Sequence, residues 1–317
     1  MQLFTPVALP PAPFRLTPVS RVLTLGSCFA QHIGQHIAAA LPDGHALVNP
    51  FGPLYAPQVI AHHLRLLLDT APLPDATYFE GVEGLWHNRW FSTHVSSAEL
   101  ATCRRLTTTA LDAARNLLRR ADVLVLTLGT DRCYRLPDGR LVANCHKQPA
   151  AAFTEHTADV ETLTSDLRRA LDSLRALRPE LQVVWTVSPY RYAKYGLHAS
   201  QLAKARLLLA VDALCATDER SVYFPAYELL LDELRDYRYY ARDLLHPSDT
   251  AVELIGERFA DWCFAPTLHT FARERARLLR AHQHRPLHPE SDAHRAFRAK
   301  LQREAELFRA KWGISPF

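Results

Sequence analysis

The chain has 317 residues, which is long for a typical small domain and short for two large ones. Hydrophobic residues make up 48% of it and charged residues 22%, a composition that supplies a full core and argues against intrinsic disorder. The formal net charge is only +4, and the arginines near the C-terminus are spaced among apolar residues. Such spacing is typical of a solvated helix face, so we expect no nucleic-acid partner.

The six cysteines are scattered and none forms a C-x-x-C pair, which is typical of a reducing compartment. The N-terminal segment has neither the basic region nor the uninterrupted apolar run of a secretory signal. No apolar run reaches the roughly 18 residues that a membrane helix needs. We therefore expect a cytoplasmic protein with no membrane partner.

After a proline-rich arm, short apolar runs alternate with helical patterns along the chain. The predicted strands are residues 22–25, 46–48, 123–128, 183–187 and 222–224. The predicted helices are residues 28–41, 56–70, 98–120, 158–177, 199–216 and 247–263. This alternation favours an α/β fold in which a five-stranded parallel sheet is covered by helices on both faces.

Two segments interrupt the alternation. Residues 78–96 are predicted to form a hairpin or a lid, and residues 132–145 hold a Pro-Asp-Gly turn between two strand-like arms. Beyond residue 266 the sequence predicts two arginine-rich helices, at about 267–283 and 290–312. We therefore divide the chain into an α/β domain, residues 1–265, and a helical extension, residues 266–317, that packs on the core or on another subunit of a homo-oligomer.

In open α/β sheets, ligands bind beyond the carboxyl ends of the strands. The residues that follow the predicted strands and could contribute to such a site are Ser27, Asn49, Gly52, Asp131, Arg191, Asp243 and His246. Their grouping predicts a polar site at this edge. For Arg191, binding of a substrate group and simple exposure to water are both open.

The Asp243-Leu-Leu-His246 segment has the spacing that places two side chains on the same side of one turn. The carboxylate can then hold the imidazole by one nitrogen and leave the other as a general base. The alternative is a polar turn that begins the following helix. The pair alone does not decide between them.

Ser27 lies between a predicted strand and a predicted helix. It is either the N-cap of that helix or a nucleophile close to the helix N-terminus, whose N–H groups favour a developing oxyanion. No G-x-S-x-G motif surrounds it, so the nucleophile elbow of the α/β hydrolases is absent.

The letters GSCFA at residues 26–30 match the signature of the GSCFA domain family, which resembles a branch of the SGNH or GDSL hydrolases. Other segments that look like blocks of this family are NPFGPLY at 49–55, NCHKQP at 144–149, TVSPYR at 186–191, residues 223–252 and HRP at 284–286. Because the blocks span most of the chain, the resemblance implies a flavodoxin-like three-layer α/β/α sandwich of the SGNH type.

The resemblance also implies residue roles. Ser27 matches the nucleophile, His246 the general base and Asp243 the carboxylate that orients the base. Gly52 is the best match for a glycine whose backbone N–H joins that of Ser27 in the oxyanion hole.

The third block of the superfamily, Gly-x-Asn-Asp, is where this sequence departs, because Asp131 stands in place of the asparagine. An ionised aspartate only accepts hydrogen bonds, and losing an oxyanion donor can cost on the order of a hundredfold in rate. Asn144 and His146 are candidate substitutes. Hydrogen bonding within their own loop is the alternative role for both.

From this resemblance we expect a serine esterase that acts on a small ester, such as an O-acetylated saccharide, with Asn49 and Arg191 among the substrate-binding residues. An O-acyltransferase with the same triad is one alternative, and a non-catalytic binding protein of the same fold, which Asp131 favours, is the other. We expect no cofactor and no bound metal.

Overall fold

A computed structural model describes residues 5–317 of the chain. The strands are β1 (Val22–Gly26), β2 (Ala46–Val48), β3 (Tyr78–Glu80), β4 (Trp86–Asn88), β5 (Val123–Leu128), β6 (Arg132–Arg135), β7 (Leu141–Val142), β8 (Thr154–Thr157), β9 (Gln182–Val187) and β10 (Ser221–Tyr223). The helices are α1 (Cys28–Ala40), α2 (Pro57–Leu68), α3 (Leu100–Leu118), α4 (Val160–Leu177), α5 (Leu197–Cys215), α6 (Ala226–Glu228), α7 (Asp249–Cys263), α8 (Pro266–Gln283) and α9 (Asp292–Trp312).

The central sheet contains five parallel strands in the order β2-β1-β5-β9-β10. Numbered by their own succession along the chain, these strands have the order 2-1-3-4-5, which is the flavodoxin-like arrangement. The predicted three-layer α/β/α fold with a five-stranded parallel sheet is therefore confirmed. The order also places the ends of β1 and β5 side by side, where the strand order reverses.

Side chains of the sheet alternate between two apolar layers, as the two-residue period of a strand requires. Leu23 and Leu25 of β1 pack in the layer that contains α2, α3, α4 and α5, whereas Val22 packs in the layer that contains α1, α7, α8 and α9. The same alternation occurs along β5, where Leu124 and Val125 face opposite layers. Both faces of the sheet are thus covered, which explains why its strands are nearly continuous apolar runs.

Both predicted insertions pair as antiparallel strands. In the first, β3 pairs with β4. In the second, β6 pairs with β7 around the predicted turn, and β8 adds to the other edge of β6 to make a three-stranded sheet. The sequence did not predict β8. The small sheet follows the carboxyl end of β5 along the chain, and residues of β6 and β7 line the cavity described below.

The C-terminal helices α8 and α9 pack on the layer that contains α1 and α7. Arg275 of α8 is 4% exposed and donates hydrogen bonds to Leu41 O, Pro316 O and Asp43 Oδ1. This side chain fastens the extension to the end of α1. Within residues 5–317 no helix combines the length and the apolarity needed to cross a membrane.

Candidate active site

A cavity of about 350 Å³ lies at the carboxyl edge of the central sheet. Its floor is formed by residues that follow three neighbouring strands: Ser27 after β1, Gly129 after β5 and Ser188 after β9. His246 and residues of β6 and β7 complete the wall. The site therefore occupies the position at which open α/β sheets bind ligands.

Ser27 occupies the N-cap position of α1 but does not cap the helix, because its side chain accepts no hydrogen bond from the first turn. Its Oγ is buried and has no hydrogen-bond partner within residues 5–317. Ser248, at the same position of α7, does cap its helix by accepting from Ala251 N–H at 3.3 Å. The Ser27 hydroxyl therefore does not act as the N-cap of α1 in this structure.

The turn that presents Ser27 depends on the glycine before it. Gly26 has a φ of +145°, and a Cβ added to it would lie 2.3 Å from Thr127 O on the neighbouring strand. A larger residue would push β1 and β5 apart. The glycine of the GSCFA signature thus allows β1 to end against β5 immediately before Ser27.

Asp243 and His246 form a closed hydrogen-bonded turn. Asp243 Oδ2 accepts from His246 Nδ1 at 2.5 Å, and Oδ1 accepts from the backbone N–H groups of Leu245 and His246 at 2.9 and 3.0 Å. The backbone N–H of His246, followed by its side chain and the N–H of Leu245, lowers the pKa of Asp243 to about 2. Nδ1 is therefore held as the donor, and Nε2 is the ring nitrogen that Asp243 does not hold on a histidine that lines the cavity.

Arg191, an expected substrate-binding residue, does not line the cavity and instead holds the segment that carries His246. Its backbone N–H donates to Leu245 O at 3.0 Å and its guanidinium to Leu244 O at 3.3 Å. Leu244 has a φ of +58°, which is unfavourable for a leucine. The ring of Tyr190, next in sequence to Arg191, lies 4.3 Å from the His246 ring. Both neighbours thus restrain the position of the imidazole.

Asn144 lines the cavity, whereas His146 does not. The backbone N–H of His146 donates to Asn144 Oδ1 at 2.8 Å, so the other end of the amide, Nδ2, is left as a donor. The His146 ring is 4% exposed, and its nitrogens bind Asn88 O at 3.0 Å and Thr93 Oγ1 at 3.3 Å. Burial lowers the pKa of His146 to about 4, which leaves its ring neutral. The residue orients Asn144 through its backbone N–H and not through the ring.

Gly52 and Asn49 do not line the cavity. Gly52 N–H donates to Asn49 O at 2.8 Å, and Asn49 Nδ2 donates to Ser27 O at 3.2 Å. Ser27 N–H itself donates to Thr127 O at 3.1 Å. The two backbone N–H groups that the resemblance assigns to the oxyanion hole therefore already have acceptors in this structure.

Asp131 points away from the cavity and is completely buried. Its Oδ2 accepts from Arg206 Nη1 at 2.6 Å, and its Oδ1 lies 3.9 Å from Arg132 Nε. Its charge is thus neutralised within the protein. Asp131, at the position where the sequence resemblance leads one to expect an asparagine, contacts an arginine of the protein and does not line the cavity.

Lys204 is a buried residue near the site that the sequence analysis did not single out. Its side chain is 2% exposed, and Nζ donates to Gly129 O and Ser188 O, both at 2.7 Å. Burial lowers the pKa of Lys204 to about 7, against smaller opposing effects of Cys28 and Asp131. The burial of Lys204 could have been predicted from the sequence, because Lys204 lies on the same apolar face of α5 as Leu207, Val211 and Leu214.

Among the described residues, no group of three or more histidine, cysteine, aspartate or glutamate side chains is placed to hold a metal ion. The chemistry that this site offers is that of a buried serine hydroxyl, an imidazole with one nitrogen held by a carboxylate, and an oriented amide.

The fold and the site define a class: a flavodoxin-like α/β/α protein with a serine and a carboxylate-held histidine at the carboxyl edge of its sheet. The chain belongs to the GSCFA family, whose model matches residues 21–259. A second model, the C-terminal domain of GSCFA domain proteins, matches residues 276–313. The family that the sequence resemblance predicted is thereby confirmed.

Two solved structures are similar to this one over most of their length. One is an acetyl esterase mutant with a bound acetate ion, at a TM-score of 0.39 and 11% identity, covering 80% of this chain and 99% of that one. The other is a carbohydrate esterase family 3 protein from Talaromyces cellulolyticus, at a TM-score of 0.35 and 10% identity, with coverage of 80% and 99%. No curated protein matches the sequence.

Proposed function

We propose that this protein is a serine esterase in which Ser27 is the nucleophile, His246 the general base and Asp243 the residue that orients the base. The observation that carries the proposal is the Ser27 hydroxyl, which is buried, unbonded within residues 5–317 and not used to cap α1. A buried hydroxyl without a partner is unfavourable unless the site has a use for it. Ser27 lines the same cavity as His246, whose Nε2 is the nitrogen not held by Asp243.

The proposed reaction proceeds through an acyl-serine. His246 Nε2 takes the hydroxyl proton of Ser27 while Oγ forms a bond to the ester carbonyl carbon. The bond from that carbon to the alcohol oxygen then breaks, and the imidazolium gives its proton to the leaving alkoxide. A water molecule, deprotonated by His246, then attacks the acyl carbon. The bond from that carbon to Ser27 Oγ breaks, and the imidazolium returns its proton to Oγ, which releases the acid and restores Ser27. Asp243 keeps its hydrogen bond to Nδ1 and stabilises the imidazolium in both steps.

For the oxyanion, we propose Asn144 Nδ2 together with the first two N–H groups of α1, at Cys28 and Phe29, since the N–H of Ala30 donates to Ser27 O. The hydrogen bond from His146 N–H to Asn144 Oδ1 supports this assignment, because it fixes which end of the amide remains free. Ser27 immediately precedes α1, a helix of 13 residues whose positive end favours an anion. Asn144 would then supply the donor that Asp131 cannot, an effect worth about a hundredfold in rate.

The family resemblance supports a small ester, such as an O-acetylated saccharide, as the substrate. An O-acyltransferase would form the same acyl-serine and pass the acyl group to a sugar hydroxyl in place of water. Product analysis with and without a sugar acceptor separates the two reactions.

Labelling with a fluorophosphonate probe tests the nucleophile. We expect the wild-type protein to be labelled and Ser27→Ala to remain unlabelled. Ser188→Ala is the matched control, since Ser188 also follows a central strand and lines the cavity. This variant should still be labelled, because it retains Ser27. A wild-type protein that is not labelled, or a Ser27→Ala variant labelled as well as wild type, would refute the proposal.

A further inference from the structure

The cavity walls away from Ser27 are mainly apolar. They carry the rings of Tyr55, Tyr190 and Tyr192 and the aliphatic side chains of Val59 and Val142, which are 4% and 2% exposed. Such walls offer a bound group contact with flat and branched apolar surface, and the tyrosine hydroxyls at the ring edges add hydrogen-bonding groups.

A row of aromatic rings leads outward from the proposed catalytic histidine. The centroid of the Tyr190 ring lies 4.3 Å from that of the His246 ring. Between ring centroids, Tyr192 is 5.9 Å from Tyr190, and Tyr195 is 5.6 Å from Tyr192. Tyr190 and Tyr192 line the cavity, so the row begins beside the reacting centre. A flat or extended group attached to the ester can therefore lie along it.

The cavity offers a substrate no unpaired charge. Among the described lining residues, Arg132 is the only lysine, arginine, aspartate or glutamate, and His246 is the only histidine. Arg132 is paired with Glu155 at 2.7 Å, lies 3.9 Å from Asp131 and stacks 3.8 Å over the ring of Tyr195. An ionised substrate group would lose its hydration here without gaining a free counter-charge, so binding of neutral groups is favoured.

The volume of the cavity exceeds the needs of an acetyl group. Its 350 Å³ corresponds to roughly a dozen water-sized groups, since a water molecule occupies about 30 Å³ of the liquid. A saccharide of that size would need partners for its hydroxyl groups. Within the described lining there is no carboxylate, Asn144 is the one amide side chain, and the remaining polar partners are hydroxyl groups and Arg132.

We infer that the site takes neutral esters whose acyl or alcohol part is an aromatic or aliphatic group of roughly eight to twelve non-hydrogen atoms, bound along Tyr190 and Tyr192. The inference rests on the proposed esterase function, and it replaces the small sugar ester that the family resemblance supports with a larger apolar ester. Burial of the apolar group against these walls supplies the selectivity.

Two series of substrates test the inference and separate the acyl side from the alcohol side. The first compares phenyl acetate, phenyl hexanoate and phenyl hemisuccinate, and the second compares ethyl acetate with benzyl acetate. In one of the two series, kcat/KM should be about tenfold or more higher for the larger neutral ester. The hemisuccinate should be a poorer substrate than the hexanoate by a similar factor. Equal or better hydrolysis of the small acetates in both series, or preference for an acetylated sugar over benzyl acetate, overturns the inference.

Failure of the inference and failure of the proposed function give different results. Ser27-dependent hydrolysis without a preference for size refutes the inference alone. If no ester is hydrolysed, the proposed function fails, and ligand-observed NMR with two neutral ligands, hexanamide and benzyl alcohol, then decides whether the cavity takes apolar groups. If neither ligand binds, the further inference is refuted as well.

Variants that fill the cavity provide an independent test. Val59→Phe and Val142→Phe should each lower the ratio of kcat/KM for the larger ester to that for the acetate about tenfold, because the new ring occupies the apolar space. Val82→Phe is the matched control, since Val82 is 75% exposed in the turn between β3 and β4. It should leave both constants unchanged. Thermal unfolding confirms that the variants are folded, and an unchanged ratio in both filled variants contradicts the inference.

Discussion

Lys204 makes the stability of this protein depend on pH in a direction that can be calculated. Its pKa is about 7 in the folded protein, against an ordinary value of 10.5. Between these values the unfolded chain binds more protons than the folded one, so the free energy of unfolding rises with pH. Below about pH 7 both states are protonated, and the full cost of burying the ammonium is present at all lower pH values.

The size of the effect follows from the two pKa values. A difference of 3.5 units between 10.5 and about 7 corresponds to roughly 5 kcal/mol over the whole window. From pH 6.5 to pH 9 the contribution of this one group should raise the free energy of unfolding by about 2–3 kcal/mol. A neutral amine still has two N–H donors for Gly129 O and Ser188 O, so both hydrogen bonds can persist after deprotonation.

Urea unfolding of the wild type and Lys204→Met at both pH values measures this contribution, because effects of all other groups cancel in the difference between the two proteins. The stability of the wild type relative to Lys204→Met should increase by about 2–3 kcal/mol from pH 6.5 to pH 9. Lys300→Met, an exposed position on α9, is the matched control and should show no such change. A wild-type advantage that stays constant, or falls with pH, refutes the reasoning.

Three further outcomes are expected. Arg275→Met should lower the free energy of unfolding by about 2–4 kcal/mol, because Leu41 O and Pro316 O lose a buried donor, whereas exposed Arg273→Met should have little effect in the same urea experiment. Asp243→Asn should lower kcat about a thousandfold or more with the fold intact, because an amide N–H in place of a carboxylate oxygen opposes the tautomer that leaves Nε2 as base. Ser248→Ala should cost about 1 kcal/mol of stability through the lost cap of α7, visible as a lower melting temperature.

The elements of the fold follow from local patterns in the sequence. The five central strands and the long helices lie within two residues of their predicted bounds, since apolar periodicity marks both. β8 escaped prediction because its residues Thr154–Thr157 are polar and largely exposed, and only pairing with β6 makes them a strand. Such pairing is a tertiary property that no local pattern records.

The site is predictable to a smaller extent. Strand ends and family blocks bring Ser27, Asn144 and His246 to one cavity. They do not indicate that Arg191 turns back onto the segment before His246, because this depends on where two distant loops meet. The backbone is strained at the same blocks, with positive φ values at Asn49, His146 and Leu244. Conformations of this kind cost on the order of 1 kcal/mol or more each and are imposed by the surrounding structure, so composition alone does not predict them.

Asp131 shows how the structure changes the meaning of a sequence departure. From the sequence, aspartate in place of the asparagine that the resemblance leads one to expect looks like a lost oxyanion donor that Asp131→Asn would restore. In the structure the side chain is completely buried, does not line the cavity and accepts a hydrogen bond from Arg206 at 2.6 Å. An asparagine here would meet arginines on both sides, at Arg206 and at Arg132, and would leave their charge less well balanced.

Asp131→Asn should therefore bring no gain in turnover and should lower the free energy of unfolding by about 1–3 kcal/mol. Asp172→Asn, exposed on α4, is the matched control for the chemical change and should be neutral. A double-mutant cycle with Arg206→Gln should place most of the loss in the Asp131–Arg206 pair, because they are in direct contact. If the asparagine variant instead hydrolyses esters about tenfold faster than wild type, Asp131 reaches the reacting centre and the assignment of the oxyanion donor to Asn144 is wrong.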